Sequence, residues 1–258
     1  MTDTTDPIAA ARRALLEAAL PNVVFDGWSR ETLDRACEDA GIDAQTAAMA
    51  FPRGPVDMAL AFHDQMDEAL RAELAGDEMA AMKVRERVTH GVRRRIELVA
   101  EEREAVRRGA TLLSLPVYAA DSARAIWQTA DIIWTAAGDT AEDYNWYTKR
   151  AILSGVYSST LLYWLGDESD DSEATWAFLD RRIDNVMQFE RVKGAVQKNP
   201  LARAMLAPAS AALSIIRAPR SARGGGGGGG GGGDAAAGAR RSSCVLPGVG
   251  RTAPPAEA

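Results

Sequence analysis

Two cysteines and two histidines are all that the 258 residues hold of the side chains most used in thiol and imidazole chemistry. Cys37 and Cys244 are too few to make a disulfide framework, and they fit a reducing compartment. Cys37 has no Cys or His at metal-ligand spacing and reads as a small core residue on an apolar helix face. Glu86 and His90 stand one turn apart, but a di-iron carboxylate bundle needs two Glu-x-x-His pairs and two further inward carboxylates. Neither pair exists. Also missing are a Gly-x-Gly-x-x-Gly turn, a Gly-Lys-[Ser/Thr] phosphate loop and a Gly-x-Ser-x-Gly elbow. The expectation is no enzyme: no catalytic residue, no metal and no cofactor.

Long hydrophobic runs are lacking too. The longest uncharged stretch, Ala151 to Gly166, has 16 residues, short of the ~20 that span a bilayer. The opening Met-Thr-Asp-Thr-Thr-Asp has neither a basic nor an apolar region, so no signal peptide is visible. A soluble or peripheral protein is expected.

What is present is a globular mixture, 47% hydrophobic and 26% charged. The net charge of -6 hides a division. Residues 1–190 carry 20 basic and 34 acidic side chains, whereas residues 191–223 carry seven basic side chains and no acid. That late basic stretch suits an anionic surface. From Ala218 onward come ten consecutive glycines, Gly224 to Gly233, then a segment of restricted alphabet with no Ile, Phe, Trp, Tyr, Met or Lys. Such a composition cannot bury enough apolar surface to order itself, so a disordered tail over 218–258 is expected.

The rest reads as helix after helix, with apolar spacing near 3.6 and no convincing alternation. An all-α fold of nine or ten helices is expected. Asp6-Pro7 opens a first helix to about Leu20; Ser29 caps a second that Gly41 ends; Asp43 caps a short third that Pro52 stops. Later helices are expected over 55–75, 78–108, 110–119, 122–137, 141–165, 172–196 and 200–216. The 78–108 helix would carry a narrow stripe of Val84, Val88, Val92, Ile96 and Val99. The 141–165 helix is uncharged all round after Arg150, which predicts burial on nearly every face, inside the larger domain or in a helix-mediated dimer.

The first 66 residues have the order of a helix-turn-helix inside a three-helix module, similar to the N-terminal domain of TetR-type regulators. A DNA reader presents basic or amide side chains to the groove and basic residues to flanking phosphates. Here the third helix, Asp43 to Phe51, has no basic residue, and residues 1–66 hold five Arg against 11 acids. The module therefore reads as a structural remnant that binds no nucleic acid.

The string Asp143-Tyr-Asn-Trp-Tyr-Thr-Lys-Arg150, the apolar helix through Tyr163-Trp164-Leu165, and Thr175-Trp-Ala-Phe-Leu-Asp-Arg-Arg-Ile183 resemble the lipid-binding accessory proteins of ubiquinone biosynthesis. The resemblance covers residues 6 to about 216 and is most specific over 139–189. It implies a TetR-like helical homodimer that has lost DNA binding, holds an isoprenoid or quinone lipid and presents quinone intermediates to a membrane-associated hydroxylase. A cytoplasmic location, peripheral on the inner membrane, goes with it. The alternative is a TetR-type transcriptional regulator with an apolar effector; a purely structural interaction domain is a third reading.

Residue pattern and resemblance together divide the chain into a degenerate helix-turn-helix module (1–66), a lipid-binding and dimerisation domain (67–197), an amphipathic membrane-associating helix (198–217) and the tail (218–258), which the resemblance does not cover. Candidate lipid contacts are Leu112, Leu115, Trp127, Ile133, Trp134, Leu153, Tyr157, Leu161, Phe178, Val186 and Met187. On their own these side chains would equally fill a closed core; only the resemblance brings a cavity forward. Neighbouring helical residues point about 100° apart, so one stripe does not bury both Trp146 and Tyr147, and an exposed aromatic beside Lys149 or Arg150 has the composition of an interaction patch. The resemblance makes this patch the docking face for the hydroxylase. Leu201, Met205, Leu206, Leu213 and Ile216 form one broad face bracketed by basic residues, the pattern of a helix lying in a membrane surface.

Overall fold

The computed structural model describes residues 6–76, 78–140 and 144–198, without the side chains of 78, 80, 144 and 187–198. The Gly-rich tail and residues 199–217 of the expected amphipathic helix lie outside the described residues, as does the side chain of Met187. Every regular element among the described residues is helical: ten α-helices and two 3₁₀ turns.

Helix α1 spans Pro7–Asp26, with the Asp6 carboxylate accepting from the Ile8 amide. It does not stop before Pro21. The missing proline N–H forfeits one helical bond, but buried Leu15, Leu16, Ala19 and Val23 hold the whole rod against its neighbours until Gly27, at φ 67°, ends it. Helix α2 (Arg30–Ala40) starts where Ser29 Oγ accepts the Thr32 amide and ends at Gly41, φ 64° and ψ 31°. Asp43 accepts from the Gln45 and Thr46 amides to open α3 (Ala44–Ala50). Helix α3 exposes Ala44, Gln45, Ala48 and Met49 and buries Ala47 and Ala50. Helix α4 (Pro55–Leu74) then packs on α6 and α8.

The single helix expected over 78–108 is three: α5 (Glu78–Ala81), α6 (Val84–Glu97) and α7 (Arg103–Leu113). The Glu86 carboxylate accepts the Lys83 amide at 2.8 Å, a start signal that resets the chain before α6. After Glu97 the bonds tighten to i→i+3, Val99 N–H to Ile96 O and Ala100 N–H to Glu97 O, and the chain turns. Val88, Val92, Ile96 and Val99 of the expected stripe are buried, while Val84 at the new helix start is exposed. The helix expected over 110–119 is likewise displaced, because Pro116 opens a 3₁₀ turn after α7 has ended.

Helix α8 (Ala119–Ala136), α9 (Tyr144–Gly166) and α10 (Glu173–Lys198) complete the larger layer. Gly91 of α6 lies against α8: a Cβ added there would sit 2.8 Å from Ile133 Cγ2. Within one chain, helix α9 is not buried on every face. Leu153, Val156, Tyr157, Thr160 and Trp164 face inward, while Ala151, Gly155, Leu162 and Tyr163 stay exposed. Packing against α8 and α10 covers only part of its circumference.

Candidate ligand cavity and the α8–α9 cluster

A cavity of about 240 Å³ opens between α4, α6, α7, α8 and α9. Its walls are mostly apolar, among them Phe62 of α4, Val106 and Ala110 of α7, Ile126 of α8, and Leu161 of α9. Small residues make the space: Ala59, Ala105, Gly109, Ala110 and Ala125 line it, and larger side chains there would fill it. Trp28 closes the side toward the N-terminal helices, its indole N–H donating to Ala105 O at 2.9 Å.

Two ionisable side chains with hydrogen-bonding heads, His63 and Arg95, enter the lining, which also holds Ser114, Ser122 and Ser158. Behind His63 and Arg95 lie Asp67 and Thr129, both buried. Arg95 Nε donates to Asp67 Oδ1 at 2.8 Å, and its Nη2 donates to His63 Nδ1 and to His63 O, each at 3.2 Å. A guanidinium has no acceptor, so His63 Nδ1 is the bare nitrogen and Nε2 carries the proton. Nε2–H then donates to Thr129 Oγ1 at 3.0 Å or Ala125 O at 3.2 Å, and the Thr129 hydroxyl donates to Asp67 at 2.9 Å. The four side chains close a ring of directed hydrogen bonds. Burial, then the Arg95 charge, lowers the His63 pKa to about 4, so the imidazole is neutral at ordinary pH. Burial likewise pushes up the phenol of Tyr157, which also lines the cavity.

Of the candidate lipid contacts, Tyr157 and Leu161 line this cavity. Ile133 and Leu153 are buried in the packed core, and Leu112 leans on it. Leu115 is exposed beyond the end of α7. Phe178 stacks on Tyr163, centroids 4.5 Å apart, on the side of α10, and Val186 lines a shallow depression with Ile152 and Gly155. Trp127 and Trp134 belong to a separate cluster.

That cluster joins the two ends of the α8–α9 pair. Trp127 packs on Trp146 and Tyr147 at 5.9 and 6.3 Å between centroids, and Trp146 meets Tyr147 edge-on at 4.8 Å. Both aromatics of the expected docking patch are half-buried. Arg150 is buried beneath Trp146, 4.0 Å from its ring centroid, and pairs with Asp131 and Asp139. Lys149 is partly exposed, bonds Asp139 at 2.6 Å and lies over Trp134, whose indole N–H donates to Lys149 O at 3.0 Å.

Two arginines that sequence reasoning did not single out hold the other end of α9. Arg103 Nη2 donates to Trp164 O and Asp167 O, and Arg107 Nη2 to Leu165 O, cations set on the final carbonyls of a helix. Bonds from Thr175 and then Ser169 lower the Asp167 carboxyl well below its usual range and fix the turn into α10.

The architecture is the all-α fold of TetR-type proteins. The crystal structure of a TetR transcriptional regulator from Nitrosomonas europaea matches with a TM-score of 0.57 and 18% identity, over 68% of this chain and 97% of that one. Residues 119–190, which run from α8 into α10, match the COQ9 family model. The chain belongs to the COQ9 family. The ubiquinone biosynthesis protein COQ9, mitochondrial, of Rattus norvegicus is 31% identical over 180 residues, 67% of this chain and 57% of the relative. The human protein of that name is 29% identical over 180 residues, 67% of this chain and 56% of its own length. The probable counterpart of Dictyostelium discoideum is 26% identical over 190 residues, 71% of this chain and 62% of its own. The chain thus spans little more than half the length of the curated relatives it matches.

Proposed function

We propose that the protein is a non-enzymatic accessory factor of ubiquinone biosynthesis, holding an isoprenoid or quinone lipid between its helices and presenting it to a membrane-associated hydroxylase. The observation that carries this reading is the mostly apolar cavity, entered by the His63 and Arg95 side chains, inside a chain of the COQ9 family. Cavities between the helices of a bundle commonly take apolar ligands. Mass spectrometry of the organic extract of the purified protein tests it: an isoprenoid or quinone lipid is expected, and a lipid-free protein would count against the reading.

The proposed setting is a membrane surface. The curated relatives are mitochondrial by name, and the location proposed for this chain is cytoplasmic, peripheral on the inner membrane. No described helix is long and apolar enough to cross a membrane. Residues 198–217, with their basic flanks, supply the attachment, gaining about 1 kcal/mol per basic residue near anionic lipid. The exposed strip of Ala151, Gly155 and Leu162 on α9 carries no charged side chain and suits the interface of a homodimer. The half-buried Trp146 and Tyr147, with Lys149 and Arg150 at their base, form the hydroxylase contact.

Regulation of transcription is the second reading, favoured by the TetR neighbour. Helix α3 speaks against it, because the side chains it exposes are Ala44, Gln45, Ala48 and Met49, and nothing there neutralises phosphate. Duplex DNA is expected to show no salt-dependent retention on the protein.

A further inference from the structure

We propose that Arg95 is the headgroup-recognition residue of the cavity and that the group it takes is a neutral carbonyl oxygen, as on a quinone ring or ketone. This inference rests on the reading of the cavity as a ligand site and adds what the ligand must carry.

A guanidinium has five N–H donors in a fixed plane. Arg95 is almost wholly buried, its side chain 3% exposed. Nε serves Asp67, and the two Nη2 hydrogens serve His63 Nδ1 and the His63 carbonyl. Nη1 has no hydrogen-bond partner among the described residues, and Arg95 is part of the cavity lining. Nη1 is not sealed from the cavity, so its two N–H groups are open to water or to a ligand oxygen there. The surrounding ring also holds them still: Asp67 fixes the guanidinium plane, and Thr129 and Ala125 fix the imidazole against it. The site is preorganised for an acceptor arriving through the cavity.

Charge decides which acceptor. Asp67 already offsets the Arg95 cation, His63 is uncharged, and Asp64 adds further negative field on Arg95. An anionic ligand would bring an uncompensated charge into this interior, which is unfavourable. A carbonyl oxygen accepts from Nη1 without that penalty. The apolar body of the ligand lies along Phe62, Val106, Ile126 and Leu161, and its chain leaves at the rim, where Leu162 and Ser114 are exposed.

The test compares three probes that share one prenyl chain and one trimethylated ring, by equilibrium dialysis against the full chain. They are the para-benzoquinone, the arene without oxygens and the benzoate; full ring substitution keeps Cys37 and Cys244 from adding to the quinone. The quinone is expected to bind about tenfold or more tighter than the arene, the effect of one charge-assisted hydrogen bond. In the double variant Asp67→Asn, Arg95→Gln, which removes both charges together, that ratio is expected to fall to about twofold or less with the arene affinity kept. Equal binding of quinone and arene to the wild-type protein would overturn the recognition role while leaving the cavity as a ligand site. Tighter binding of the benzoate would overturn the neutral-carbonyl assignment. Binding of none of the three overturns the ligand reading and this inference together.

Discussion

Arg95 Nη2 donates to His63 Nδ1 at 3.2 Å, and that contact sets the tautomer of the buried imidazole, Nδ1 bare and Nε2 protonated. Burial, and then the Arg95 guanidinium against which a protonated His63 would set an N–H, hold the imidazole neutral in the folded chain, with a pKa lowered to about 4 from 6.5. Below pH 6.5 the unfolded chain binds a proton that the folded chain refuses. The stabilisation is therefore present above pH 6.5 and lost as the pH falls toward 4. The shift corresponds to about 3 kcal/mol as an upper bound. Urea denaturation at pH 7 and pH 4.5 is expected to show a loss larger by about 2 kcal/mol in the wild-type protein than in His63→Gln; parallel losses would contradict it.

Gly91→Ala should destabilise, although alanine is normally preferred in a helix by about 1 kcal/mol. The added methyl would stand 2.8 Å from Ile133 Cγ2 and 3.1 Å from Cγ1, inside the packed α6–α8 contact. Relieving that overlap requires the helices to separate, at about 1–3 kcal/mol, so after the propensity gain a net loss of up to about 2 kcal/mol is expected in chemical denaturation. A gain in stability would show that α8 yields easily.

Ala151→Arg places a charge on the exposed strip of α9, where it meets no packed neighbour within its own chain in the way Leu153 would. Unchanged helicity with a shift from dimer to monomer in sedimentation is the expected result. An unchanged sedimentation coefficient would remove α9 from the dimer interface.

Trp146→Ala acts through Arg150. The indole covers the buried guanidinium and packs on Trp127 and Tyr147, so its loss should cost about 2–3 kcal/mol of stability. Tyr147→Ala should cost less. Hydroxylase binding by each variant, measured beside its circular dichroism melt, separates a docking role from a packing role: lost binding in Tyr147→Ala with folding intact supports the patch.

Much of the fold is legible along the chain because helix ends are local. Ser29, Gly41 and Asp43 act on neighbours within a few residues, and each stands where its side chain or conformational freedom requires. The break of the 78–108 segment was hidden because its apolar stripe continues in phase across the turn after Glu97. Pro21 misleads in the opposite sense, since tertiary packing overrides the bond it forfeits.

The polar cluster at the cavity was harder to see. His63 and Asp67 share a face of α4 by spacing, but Arg95 is one of three consecutive arginines that read as a solvated face, and Thr129 comes from a helix 62 residues after Asp67. Only the crossing of α4, α6 and α8 joins them. Among the apolar candidates, spacing could not separate Tyr157 and Leu161 at the cavity from Ile133 and Leu153 in the core, because all four are large side chains on inward faces.

The most direct test of the account is the lipid content of the wild-type protein beside a variant whose cavity is filled. Ala110→Phe sets a ring into space bounded by Val106, Ile126 and Leu161. Both proteins, purified in parallel and shown to melt alike, would be extracted and the extracts compared by mass spectrometry. The account predicts an isoprenoid or quinone lipid in the wild-type extract and its loss from Ala110→Phe; equal lipid in both, or none in either, would contradict it.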